Sequence, residues 1–152
     1  YVFRMLVDDD IPLNAGCLKP IEVVIPEGSM LRPNPPASVV AGNVETSTCI
    51  TNAIIGIRSI VQPGAVIKRS IVLGADYFEE PGSGAKYPIG IGKNSQITQA
   101  IIDHNARIGN NVIIKGSNRL KDSDGPGYAI RDGIVVVLKD ATIANGTRIG
   151  DV

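Results

Sequence analysis

The 152-residue sequence has no tryptophan, only four tyrosines and two phenylalanines, a single histidine and two cysteines. Scarce aromatics exclude a base-stacking platform for single-stranded nucleic acid and demand a core of aliphatic layers. One histidine gives no basis for a Ser-His-Asp triad argued from residue types alone. Cys17 and Cys49 are too few for a disulfide scaffold and lack metal-site spacing, so reduced thiols in an intracellular protein are expected. Net charge is missing too. Fifteen Lys and Arg balance fifteen Asp and Glu, which removes the field that would draw the chain to nucleic acid or an anionic membrane. No run approaches the roughly 18 apolar residues needed to cross a bilayer. The apolar start at Tyr1 ends by Asp8, too soon for a secretory signal. One soluble domain, or a small domain with an attached fragment, is expected, with no nucleic-acid and no membrane partner.

What is abundant is β-branched. The sequence holds 22 Ile and 15 Val against 7 Leu, punctuated by 17 Gly and 10 Pro. Branched side chains suit a pleated surface and lose rotamer freedom in a helix, so a mostly β chain with many turns follows.

From Ile55 onward the aliphatic residues recur about every six positions. Ile55-Gly56 leads to Val61, Ile67 and Leu73-Gly74. A second series runs Ile91-Gly92, Ile97, Ile102, Ile108-Gly109 and Ile114, with one five-residue step before Ile102. A third is Val137, Ile143 and Ile149-Gly150. A period of six spreads residues around a helix and is not the simple alternation of an isolated strand. Six residues per side and three sides per coil describe a triangular parallel β-solenoid, each aliphatic pointing inward and the following Gly or small residue making the corner. A β-sandwich with coincidental spacing is the competing reading. One coil cannot bury its own face, so several must stack, and the open ends need caps.

Two stretches interrupt the period. Residues 77–88 and 115–131 are rich in Gly, Pro, Ser and charge and read as loops leaving the corners. Lys115-Gly116-Ser117 lacks the spacing of a phosphate-binding P-loop. Asp8-Asp9-Asp10 offers hard oxygen ligands for Mg2+ or Ca2+, but consecutive acids on a strand diverge and a solvated turn is favoured. Cys17 and Cys49 as nucleophiles would need a base or cation to lower the thiol pKa, and the one histidine lies far along the chain; small buried residues are favoured.

The strings IGIRS (55–59), LGADYFE (73–79), PIGIGKN (88–94), AIIDHNARIGNNV (100–112) and GIVVVLKDATIANGT (133–147) resemble the C-terminal domain of the glucose-1-phosphate adenylyltransferase (ADP-glucose pyrophosphorylase) family over about residues 54–150. The resemblance implies a left-handed parallel β-helix. It also implies that the nucleotidyltransferase portion, with its ATP and Mg2+, lies outside the chain, leaving no catalytic residue, cofactor or metal here. In plant and cyanobacterial members, anionic effectors bind beside a lysine in the string IIDKNARIG and another in VVVLK. Carried over, these fall at His104, which follows Asp103, and at Lys139. Lys139 suits phosphate, whereas an imidazole is mostly neutral at pH 7 and weakens such a site. As residues alone, His104 and Lys139 read equally as solvated side chains.

Residues 8–47 instead resemble the hydantoinase B family, which includes 5-oxoprolinase subunits. Pro20 to Pro26 reads as a short proline-bounded strand, and Arg32-Pro33-Asn34-Pro35-Pro36 as extended chain. Asn43 is placed to cap a short helix carrying Ile50, Ala53, Ile54 and Ile57, although Ile55 and Ile57 also fit a first rung. The two resemblances together imply a chimera of incomplete fragments: a hydantoinase-like segment over 1–52 of short mixed or extended structure, then an all-β left-handed β-helix over 53–152. The expected role is a non-catalytic regulatory and oligomerisation domain. It would take a phosphate or sugar-phosphate effector and self-associate through the β-helix, in the cytoplasm or a plastid. A fragment of an ATP-dependent amidohydrolase and a purely structural module are the alternatives.

Overall fold

In a computed structural model the described residues are 2–7, 21–24, 37–40, 43–44, 47–79 and 84–152, with side chains described in the last two ranges. Every regular element among them is a strand. Five coils stack as a three-sided prism. Its first face is built from Ala37–Val40, Ile54–Ile55, Ile71–Val72, Ala100–Ile102 and Ile134–Val137, paired parallel in that order. The second takes Asn43–Val44, Ile60–Val61, Gly90–Ile91, Arg107–Ile108 and Thr142–Ile143. The third takes Cys49–Thr51, Val66–Lys68, Gln96–Thr98, Ile113–Lys115 and Arg148–Gly150.

Parallel register stacks like on like. Ile55, Val72, Ile102 and Val137 fill the prism from the first face, Val61, Ile91, Ile108 and Ile143 from the second, and Ile50, Ile67, Ile97, Ile114 and Ile149 from the third. All are buried. Each fully buried aliphatic contributes about 1.5–3 kcal/mol relative to exposure, which lets aliphatic layers replace the missing aromatics. Small residues, including Ala53, Ala65, Ser95, Ala100 and Ala106, occupy the tighter space near the corners.

The steps between inward residues are six, six and five. The short step runs from Ile50 to Ile55, from Ile67 to Val72 and from Ile97 to Ile102, so an uninterrupted coil is 17 residues. Val72 therefore points inward where the six-residue series places Leu73, and Leu73 is exposed. Corners are turned by one left-handed residue three positions before the next inward aliphatic: Ser47, Asn52, Asn94, Asn105, Asn111 and Asp140, and also Arg58, Arg69 and Gln99. The glycine that follows an aliphatic is not always this corner. Gly56 and Gly92 are needed for close approach, since a Cβ there would strike the backbone of the next coil at Leu73 and Gly109 respectively.

The structure corrects four further expectations. No helix follows Asn43: strands Asn43–Val44, Cys49–Thr51 and Ile54–Ile55 occupy the stretch, because Ile50 and Ile55 enter the prism while Ile54 and Ile57 face solvent. Parallel stacking also begins upstream of the hexad series, at Ala37. The segment 115–131 is not only a loop. Ser123–Gly125 and Tyr128–Arg131 form antiparallel strands that extend the first face past Ile134–Val137. The two-residue turn at Asp132-Gly133 has both φ values positive, as a type I′ hairpin turn requires. Finally, Cys49 is buried and disulfide-bonded rather than a reduced thiol. Asp8-Asp9-Asp10 and Cys17 lie outside the described residues.

Both ends of the first face carry antiparallel strands, Val2–Val7 and Ile21–Val24 at one end and the 123–131 hairpin at the other. The second and third faces carry no such extension among the described residues.

Candidate functional site

The three residues singled out as effector ligands meet at the corner between the first and second faces. Ile102 and Val137 are register partners, so His104 and Lys139 emerge at the same point of adjacent coils, about 4.8 Å apart along the stack. Asp103 Oδ1 accepts the His104 backbone N–H at 2.6 Å and lies 3.1 Å from His104 Nδ1. The imidazole is therefore folded back onto its own neighbour.

Lys139 points elsewhere. Its ammonium donates to Asp76 Oδ2 at 2.7 Å, across a separation of 63 residues. Asn105, the left-handed corner residue, completes the cluster. Its amide donates to Asp76 Oδ2 at 3.1 Å and to Asp140 Oδ1 at 2.9 Å, while its own Oδ1 accepts the Asp76 backbone N–H at 2.9 Å. Asn105 is buried although the carboxylates around it are not. The bond from Lys139, then that from Asn105, holds the Asp76 carboxyl below its ordinary pKa; the same contact holds the Lys139 ammonium above its own.

The arrangement binds the loop that starts at Leu73 to the fourth and fifth coils. It is also acidic. Asp76, Asp103 and Asp140 surround one ammonium, and Lys139 is already spent on a carboxylate. The family resemblance implies an anion site at His104 and Lys139; Asp76, Asn105 and Asp140 are the residues it missed. Asn105 and Asp140 could have been found, since both stand three positions before an inward isoleucine.

A second clamp fixes the far end of the same loop. Glu79 is mostly buried and takes Arg107 through Oε1, while its Oε2 accepts the Ile89 backbone N–H at 2.8 Å; Arg107 also donates to the Tyr87 carbonyl at 2.7 Å. Between the clamps Phe78 is 77% exposed, with the Arg58 guanidinium 5.5 Å from its ring centroid. The acids of the corner are held by Lys139, Asn105 and the backbone, and no group of three or more metal-ligating side chains converges among the described residues.

Sequence comparison places the chain among known proteins. The GLGC left-handed parallel beta-helix domain matches residues 24–148. The chain belongs to the glucose-1-phosphate adenylyltransferase family. The prism is thus a left-handed parallel β-helix, and the match begins well upstream of the hexad series, in agreement with the parallel coil that starts at Ala37. A glucose-1-phosphate adenylyltransferase small subunit from Zea mays is 41% identical over 122 residues, 74% of this chain and 98% of that sequence. The chloroplastic/amyloplastic small subunit from Triticum aestivum is 38% identical over 134 residues, covering 82% of this chain. Large subunit 1 from Zea mays is 44% identical over 108 residues, or 66% of this chain. The chain spans only 28% and 21% of the length of the latter two adenylyltransferases.

Proposed function

We propose that this chain is the regulatory and oligomerisation domain of a glucose-1-phosphate adenylyltransferase and carries no catalysis of its own. Making ADP-glucose from ATP and glucose 1-phosphate would belong to a nucleotidyltransferase portion outside it. The observation that carries the reading is coverage: a β-helix domain match over 24–148 in a chain spanning about a quarter of the longer relatives. Relatives named as chloroplastic/amyloplastic make a plastid the favoured location, with cytoplasm the alternative. The same match over 24–47 favours one family across that stretch over a hydantoinase B fragment.

Regulation is assigned to the Lys139 corner. An anionic effector, phosphate or a sugar phosphate, would compete with the Asp76 carboxylate for the Lys139 ammonium. Asp103 and Asp140 repel it, so the described residues alone give a weak site, and displacement of Asp76 is the costly step. That step has a mechanical consequence, because Asp76 belongs to the loop leaving Leu73. An effector that takes Lys139 from Asp76 would unfasten this loop from the fifth coil, while Asn105 still holds it to the fourth.

Calorimetric titration with inorganic phosphate tests the reading. Asp76→Asn removes the competing charge and is expected to tighten phosphate binding by about tenfold, while Lys139→Ala abolishes it. Phosphate binding unchanged in both variants would refute the assignment. No binding in any variant would favour a purely structural module.

A further inference from the structure

A second corner of the prism, between the third and first faces, has features that the effector reading does not use. Outward side chains of the first face stack in register as Ile54, Ile71, Ile101 and Val136. Ile54 is 49% exposed and Ile71 38%, whereas one face of a solvated solenoid is ordinarily polar. Ile54, Ile71 and Ile101, with Ile134, line a groove of about 570 Å³ whose other wall is the corner column Asn52, Arg69 and Gln99.

Arg69 is the charged member of the column. Like Gln99 one coil above it, it takes the left-handed corner conformation, φ 47° and 52° respectively, where Asn52 stands one coil below. Arg107, Arg131 and Lys139 each hold a carboxylate, but Arg69 has no ion pair among the described residues. The neighbouring column on the third face runs Thr51, Lys68, Thr98 and Lys115 in register, and neither lysine is ion-paired among the described residues. No acid lines the groove among the described residues.

We propose that this groove is a docking site for an acidic amphipathic segment of a partner polypeptide. Its aliphatic side chains lie along the isoleucine column and its carboxylates face Arg69, with Lys68 and Lys115 behind. Charge complementarity sets the sign of the partner, and the isoleucine floor requires that it also be apolar. Among the described residues the lining has no aromatic ring on which a base could stack, which disfavours nucleic acid. The inference stands on a different corner from the effector site and does not depend on it.

The test uses the whole 152-residue chain and a fluorescein-labelled peptide of alternating leucine and glutamate, read by anisotropy. Saturable, salt-sensitive binding is expected. It should weaken about three- to tenfold in Arg69→Asn, which keeps a corner-compatible residue, and in Ile71→Thr, which keeps a strand-compatible one. Circular dichroism should be unchanged in both. Lack of saturable binding, equal binding of a leucine–lysine peptide, or affinity unaffected by both variants would overturn the proposal. Tighter binding to phosphatidylglycerol vesicles, or to an oligonucleotide, than to the peptide would overturn the choice of partner.

Discussion

The Lys139 ammonium reaches the Asp76 carboxylate at 2.7 Å, tying the fifth coil to a loop that leaves the third. Asp76 titrates below, and Lys139 above, its ordinary value. The stabilisation from this contact is therefore complete between roughly pH 4 and pH 10. It is lost as pH falls through the lowered carboxyl pKa, and separately as pH rises through the raised ammonium pKa. Carbon-13 titration of the Asp76 carboxyl should give a midpoint below the usual aspartate value, and Lys139→Ala should move it back up. An unmoved midpoint would mean that the contact is absent in solution.

The inward stacks carry the stability. Ile97 is fully buried between Ile67 and Ile114, so Ile97→Ala should cost about 2–4 kcal/mol in urea unfolding. Ile57→Ala, on an exposed corner, should stay within about 0.5 kcal/mol. Equal costs would place the core elsewhere.

Two buried serines should behave oppositely. Ser95 Oγ donates to the Gly109 carbonyl at 2.8 Å and accepts the Val112 N–H at 3.1 Å, fastening two coils. Ser95→Ala strands both groups and should cost about 1–3 kcal/mol. Ser59 Oγ is buried without a hydrogen-bond partner among the described residues, so Ser59→Ala should be neutral or stabilising. Thermal unfolding of the two variants checks the contrast.

Glycines divide in the same way. A Cβ at Gly92 would meet the Gly109 backbone, so Gly92→Ala should force coils apart and cost more than about 2 kcal/mol. Gly146 has open space and only its φ of +71° to satisfy, so Gly146→Ala should cost about 1 kcal/mol. A reversed order of melting temperatures would reject the stacking of Gly92 on Gly109.

The prism was legible from residue 55 because Val61, Ile67, Ile97, Ile108 and Ile143 keep a near-constant step. Leu73 misled because the third-to-first corner is one residue shorter than the others. The first coil was hidden because the step from Val40 to Val44, register partners of Ile55 and Val61, is four rather than six. The 123–137 hairpin did carry a signal in Asp132-Gly133, a dipeptide suited to a type I′ turn, which surrounding charge and glycine obscured. At the effector corner, the strings placed His104 and Lys139 together. They could not show that Asp76, about 30 residues before His104, claims the lysine, since that contact depends on where an inserted loop returns.

The most direct test of the three-sided coil is the set of methyl and amide NOEs from Ile97 in an isotope-labelled sample. Parallel in-register stacking predicts contacts to both Ile67 and Ile114, with Gln96 flanked by Val66 and Ile113. Close Hα–Hα contacts of antiparallel pairing at these positions, or an Ile97 methyl exposed to water, would contradict it.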